Sequence, residues 1–383
     1  MDSKKNLRRI LMPALLVLLG GGAGFLSGRL IESSMPADTE PGGFITSLFL
    51  QLVLMALAFY LQLILHEGGH LLAGLLTGYR FSSFRIGSLM LLKTSRGLSL
   101  KRFSLAGTGG QCLLIPPERA PDGSYPYRLY HLGGVLMNLL TAVLFFVLYR
   151  ALSAGGYLRG FFLCLSLFGI FNAVMNGLPL RPNGVATDGY NALHIGKEPF
   201  ALTAMWLGLK INAAQTEGIR LKDLPEEWFV LPEGASKTNE IISTIAVFAE
   251  NRAMDALDFA GARERLSRLE EGGEYTVMGL YRSLLLLDKI TLDLIEKGAS
   301  ADISAMDTRP MRSFRKAMAK FPSVIRAEYA LALLKEQDPA GAEKCIKRFE
   351  SVACRYPMPS DIASERDIMA QIDSAATGMG SVS

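Results

Sequence analysis

Four stretches of the chain carry no Asp, Glu, Lys or Arg: residues 10–28, 41–66, 129–149 and 160–180. Each is near the roughly 20 residues that a helix needs to cross the hydrocarbon core of a bilayer. A very apolar helix can also be buried in a soluble core, but four such runs in one half of the chain point to lipid as the solvent. Between the second and third runs, residues 81–115 alternate apolar and polar positions with Gly breaks, which predicts two or more short strands, partly membrane-associated. From about residue 240 the pattern changes. Apolar positions recur among charged ones and predict helices over 241–259, 262–271, 275–297, 312–320, 324–335 and 341–356. The intervening stretch, with Pro199, Pro225, Pro232 and Gly234, reads as a helix and linker. The expected fold is a polytopic α-helical membrane protein of about four transmembrane helices with a small β-hairpin insert, followed by a soluble all-α domain. The expected divisions are 1–43 for the first transmembrane helix and outer loop, 44–195 for the membrane core, 196–239 for the helix and linker, and 240–383 for the cytoplasmic helical domain.

Composition agrees with this pattern. Of 383 residues, 50% are hydrophobic and 20% charged, with a mean hydropathy of +0.26; soluble domains usually hold about 25% charge. Four Cys without CxxC spacing exclude a disulfide framework and argue against a Cys-based zinc site. The net charge of +4 hides two unlike halves: residues 1–190 carry +8 and residues 191–383 carry −4. A basic half can bind nucleic acid, but here the positive charges flank apolar runs, so the expected neighbour is the lipid bilayer and no nucleic-acid partner is expected. Lys4, Lys5, Arg8 and Arg9 place the N-terminus in the cytoplasm. Residues 32–43 have acids but no Lys or Arg and are expected outside, while eight basic residues from Arg80 to Arg128 are expected inside. The chain from Arg181 onward is then cytoplasmic, giving a multi-pass protein of the cell membrane with both termini inside. The first run could instead be a cleaved signal peptide; its length, and the lack of a clear small-x-small site after it, favour a retained helix.

The second run ends in His66-Glu67-Gly68-Gly69-His70, the H-E-x-x-H pattern. On a helix, His66 and His70 share a face, and both imidazoles can reach one zinc ion. Glu67 is rotated off that pair but stays beside the metal, where it can take a proton from bound water. Three fixed residues match by chance at about one position in 8,000. The position strengthens the motif, because ionisable residues in a membrane helix are expensive and mark functional sites. The bland alternative is that His66 and Glu67 cap a span at the interface. A catalytic zinc of this kind takes a third protein ligand and leaves one position for water. Past the fourth run the sequence is rich in Asn, Gly and Pro and cannot continue as a regular helix. Asp188 stands at its end, on the same expected cytoplasmic face as His66 and His70. His131 is expected at an interface beside Arg128, and His194 is a more distant alternative ligand.

These residues resemble the site-2 protease family of intramembrane zinc metalloproteases. Its second signature appears here as Asn176-x-x-Pro179-x-x-Pro182 followed by Asp188-Gly189, with about four residues more than usual before the Asp. The family's middle-span motif G-P-x-x-N is similar to Gly134-Val135-Leu136-Met137-Asn138, with Val in place of Pro. The resemblance covers residues 44–195. It implies that His66, His70 and Asp188 bind Zn2+, that Glu67 is the general base, and that Asn138 and Asn176 line a substrate cleft. For either Asn, hydrogen bonding between helices is the alternative. It also implies hydrolysis of peptide bonds within or next to membrane-spanning segments, in regulated intramembrane proteolysis or peptide maturation, with a membrane-spanning protein or peptide as substrate. A catalytically silent zinc-binding scaffold of the same fold is the alternative function. The family's sheet implies an edge that takes an extended substrate; the alternative is a basic loop resting on lipid.

The tail holds one internal echo. Asp258-Phe-Ala260-Gly261-Ala262 matches Asp338-Pro-Ala340-Gly341-Ala342 at an offset of 80. This suggests tetratricopeptide-like hairpins, with a non-repetitive helical bundle as the alternative. Such a domain is expected to hold a protein partner.

Overall fold

The computed structural model describes residues 41–380, apart from 95–96, 104–108, 153–155, 182–184, 271–276 and 278, together with Gly21 and Gly28. The expected first span, 10–28, lies outside the described residues but for those two glycines. The chain divides into two compact units. One comprises Met1–Thr77, Pro126–Pro182 and Ala186–Leu193; the other comprises Gly78–Tyr125, Asn183–Val185 and His194–Ser383.

The first unit is built on α1 (Pro41–Leu76), α2 (Tyr127–Ala151) and α3 (Tyr157–Gly177). All three have the length and composition to cross a membrane. Their polarity is inverted relative to a soluble bundle. Leu52, Leu57, Leu140 and Val143 are exposed, whereas Gln62, Asn138, Thr141, Ser166 and Asn172 are buried. Lipid accepts the first set, and Gln62, Asn138 and Thr141 hydrogen-bond to one another inside the bundle. Small residues let α1 and α2 touch backbone to backbone: a Cβ on Gly69 would lie 2.3 Å from the Gly133 carbonyl oxygen, and one on Gly133 would lie 2.4 Å from that of Gly69. After α3 the irregular chain folds back on itself. The Thr187 hydroxyl donates to the Leu178 carbonyl (2.6 Å), and the Thr187 amide donates to the Leu180 carbonyl (3.0 Å). Asp188 opens the short helix α4 (Asp188–His194).

The second unit contains a four-stranded antiparallel sheet: β1 (Arg80–Ile86), β2 (Leu89–Thr94), β3 (Gly97–Arg102) and β4 (Gly110–Ile115), in the order β3-β2-β1-β4. The expected hairpin is thus a three-stranded meander, β1-β2-β3, with β4 returning to pair with β1. The strand β3 is an edge, with Leu98 and Leu100 exposed. The rest is helical: α5 (Pro199–Glu217), α6 (Glu240–Asp255), α7 (Phe259–Glu270), α8 (Gly279–Lys297), α9 (Arg309–Ala317), α10 (Pro322–Ala330, continued by a π turn over Leu331–Lys335), α11 (Pro339–Ala353) and α12 (Pro359–Gly380). Amphipathic periodicity accounts for α6 to α11, whose apolar faces meet in one core that includes Leu266, Leu287, Leu294, Ile325 and Phe349.

The internal echo is a repeated turn. Leu257 (φ 58°) and Gln337 (φ 52°) are the only two non-glycine residues with positive φ among the described residues, and they are 80 positions apart. Each precedes the echoed Asp, whose carbonyl accepts from the amide of Ala262 (2.8 Å) or Ala342 (3.0 Å) to start the next helix. The echoed glycines leave room for that Asp: a Cβ would lie 2.1 Å from Asp258 Oδ2 at Gly261 and 2.4 Å from Asp338 Oδ2 at Gly341. The left-handed Leu257 also explains why α6 stops at Asp255 rather than running to 259.

Candidate metal centre

His66, Glu67 and His70 lie on the last third of α1 and are all buried. The i, i+4 spacing stacks the two imidazoles on one face, with ring centroids 4.8 Å apart and Nε2 atoms 3.2 Å apart. Asp188 meets them from the start of α4: its Oδ2 lies 3.1 Å from His66 Nε2 and 3.4 Å from His70 Nε2. Among the described residues, these three form the only group of His, Cys, Asp or Glu close enough to share one metal ion.

Each imidazole is held by its other nitrogen. His66 Nδ1 is 2.6 Å from Asn138 Oδ1, and His70 Nδ1 is 2.8 Å from the Tyr130 carbonyl oxygen. Both partners are acceptors, so both Nδ1 atoms carry the proton and both Nε2 lone pairs face Asp188. With no proton on either Nε2, the Asp188 carboxylate faces two lone pairs rather than two donors, an arrangement that a shared cation resolves. Two imidazole lone pairs and an ionised carboxylate therefore converge on one point. That donor set suits a divalent cation, and two His nitrogens with one carboxylate oxygen suit zinc.

The support continues beneath Asn138. Its Nδ2 donates to Gln62 Oε1 (2.8 Å) and to the Gln62 carbonyl (3.1 Å), and the Gln62 side chain donates in turn to the Leu165 carbonyl (2.8 Å). Asn138 and Gln62 are completely buried. The chain Leu165–Gln62–Asn138–His66 thus runs through all three long helices. Gly134 completes the geometry from α2. A Cβ there would lie 2.6 Å from His66 Cε1 and 2.7 Å from His70 Nε2, so only glycine leaves both rings their places. Gly189, whose added Cβ would lie 1.9 Å from the Gly177 carbonyl oxygen, lets α4 seat Asp188 against the end of α3.

Glu67 is close enough to His70 for their charges to interact. Asn176 stands apart from this network. Its amide donates to the Asn172 carbonyl of its own helix (3.1 Å) and joins none of the bonds that tie His66, His70 and Asp188. His131 is buried, with its ring against Tyr130, and His194 is not a member of the metal-ligating group. Sequence reasoning missed Gln62 and the Tyr130 carbonyl. Gln62 had a signal, since an amide in an apolar run four residues before His66 falls on the same helix face. The Tyr130 carbonyl had none, because a backbone acceptor is invisible in residue identities.

A bundle of membrane-length helices that buries an H-E-x-x-H pair against an Asp belongs to the class of membrane metalloproteases. The model of peptidase family M50 matches residues 54–357, and the chain is a member of that family, which is the site-2 protease family. Its members are zinc metalloproteases. No curated protein and no solved structure matches the chain.

Proposed function

We propose that this protein is an intramembrane zinc endopeptidase that cuts peptide bonds within or next to membrane-spanning segments. The observation that carries the reading is the convergence of His66 Nε2, His70 Nε2 and Asp188 Oδ2, with both Nδ1 atoms already committed to fixed acceptors. Bound zinc would supply a Lewis acid and an activated water. His66, His70 and Asp188 would hold it. Glu67 takes the proton of the attacking water and returns it to the leaving amine. The substrate is a membrane-spanning protein or peptide that must unwind, because a helical carbonyl is already engaged. The open edge of β3, with Leu98 and Leu100 exposed, suits capture of such an extended strand.

The protein sits in the cell membrane as a multi-pass chain with both termini cytoplasmic, a reading supported by the basic residues from Arg80 to Arg128. A cysteine at Met35 should react with an impermeant label from outside and one at Ala120 should not; the reverse pattern would sink this orientation.

The proteolytic reading is tested by Glu67→Gln, which keeps the size of the side chain and removes the base. In detergent, the variant should hold as much zinc as the wild type but cut an unwound model peptide at least about a hundredfold more slowly. In cells, the membrane protein that accumulates in the variant identifies the substrate. Full zinc loading with no cleavage by the wild-type protein would favour the silent-scaffold reading instead.

A further inference from the structure

The second unit holds a cavity of about 240 Å³ between the sheet and helices α5, α6, α8, α10 and α12. Part of its wall is apolar, where Phe103, Phe321 and Tyr356 meet with ring centroids 5.6–6.5 Å apart. The lining is also acidic. Four carboxylates line it, from Asp255, Asp288, Asp361 and Glu365, against a single lining cation, Arg326.

Those acids are unevenly matched. Asp255 is answered from outside the cavity by Arg220, 2.6 Å away. Arg326 is shared between Asp288 and Glu365. Asp361 accepts only from neutral groups, the Gln215 amide (2.8 Å) and the Ser360 hydroxyl (3.3 Å). Behind them Glu250 is completely buried, and among the described residues neither of its carboxylate oxygens has a hydrogen-bond partner. It lies on the same face of α6 as Val247 and Met254, which line the cavity, and its charge interacts with Asp288, Arg326 and Glu365. Arg326, also buried, leaves its Nε without a partner. Buried charges are normally paired, and an unpaired one is costly. Asp361 and Glu250 thus hold carboxyl oxygens that no cation among the described residues pairs, and a bound cation would meet them. No three of these carboxylates form a group close enough to share one metal ion among the described residues.

We propose that this cavity takes the Lys or Arg side chain of a peptide segment in which basic and apolar residues adjoin. The aliphatic stem would lie along the aromatic wall and the charged head among Asp361, Glu365 and Asp288. Apolar residues beside Lys or Arg are the composition of the cytoplasmic flank of a membrane-spanning helix. The cavity is thus a recognition site for the flank of the substrate, an identification that rests on the proteolytic reading above; the binding itself does not.

The experiment uses the full chain carrying Glu67→Gln, purified in detergent, so that no probe is cut. A fluorescent peptide with two adjacent arginines between leucines is titrated, beside the same peptide with glutamines or glutamates in place of arginine. The basic peptide should bind at least about tenfold more tightly than either control, and Asp361→Asn combined with Glu365→Gln should remove that preference. Asp361→Asn alone keeps a side chain of the same shape; it should remove part of the preference while the protein stays folded, as read by circular dichroism. Equal binding of the three peptides, no binding of the basic one, or an unchanged preference in both folded variants would each overturn the proposal. Because Glu67→Gln cannot cleave, none of these outcomes bears on whether the wild-type protein is a protease.

Discussion

The two units each bury a polar network, and the networks differ in completeness. In the helix bundle, the bonds from Leu165 through Gln62 and Asn138 to His66 leave the Gln62 and Asn138 side chains hydrogen-bonded at every step. In the helical unit, Arg326 serves two carboxylates while Glu250 has no hydrogen-bond partner among the described residues. A complete network holds its members in one geometry, which is what a metal site needs. An incomplete one lacks a counter-charge, which is what a binding site supplies only when occupied. The difference shows how one chain can combine a preformed centre with a receptive one.

The strongest way to break this contrast is to crowd the complete network. Gly134→Val places a side chain where His66 Cε1 and His70 Nε2 now sit, so metal binding should be lost almost entirely, as read by zinc content at equal folded protein. A normal zinc content would show that α2 does not shape the site.

Cutting the network one bond further out should have a graded effect. Asn138→Leu removes the acceptor of His66 Nδ1, and zinc affinity measured by chelator competition should fall about 10–100-fold. Gln62→Leu should act through Asn138, so that combining the two changes is no worse than Asn138→Leu alone. Additive losses would mean that Gln62 and Asn138 are independent.

The incomplete network should show itself in the pH dependence of stability. Burial pushes the carboxyls of both Asp361 and Glu365 up to about 7, with Arg326 opposing at Glu365 and Gln215 and Ser360 opposing at Asp361. Both titrate near 4 when unfolded. Between those values the folded chain binds more protons than the unfolded one, so stability falls as pH rises through that window and levels off above it. Thermal melts of the second unit from pH 4 to 8 should show this trend, and Asp361→Asn should flatten it. A melting temperature that rises with pH over this range would contradict the assignment.

The smallest expected effect concerns the repeated turn. Leu257→Gly and Gln337→Gly each relieve a left-handed backbone conformation and should stabilise the helical unit by up to about 1 kcal/mol. Denaturant midpoints that fall instead would show that these side chains contribute more by packing than they lose by strain.

Much of the metal centre was legible in the sequence because its signals are local or topological. The i, i+4 spacing of His66 and His70 needs only a helix, and the charge pattern leads to the expectation that Asp188 lies on the same face as the pair it is found beside. The turn at 257 and 337 was legible as an echo, though its left-handed residue was not, since Leu and Gln carry no preference for it. Asn138 was flagged by resemblance, but its partner Gln62 emerges only when α1 and α2 are packed. The sheet was foreseen in part: alternation marks strands, whereas the return of β4 to pair with β1 is set by contacts far apart in sequence. The final helix α12 was missed because its pattern of small and polar residues gives a weak amphipathic signal, and burial of Ile362, Ile368 and Ile372 holds it in place.

The central claim is a single metal ion held by His66, His70 and Asp188. X-ray absorption on the purified full chain tests it most directly, paired with the zinc content of Asp188→Ala. The expected result is one zinc per chain with two imidazole nitrogens at about 2.0–2.1 Å and oxygen completing the shell, and loss of most of the metal in Asp188→Ala. Sulfur in the coordination shell, or a fully loaded Asp188→Ala protein that loses its metal on His194→Ala, would contradict it.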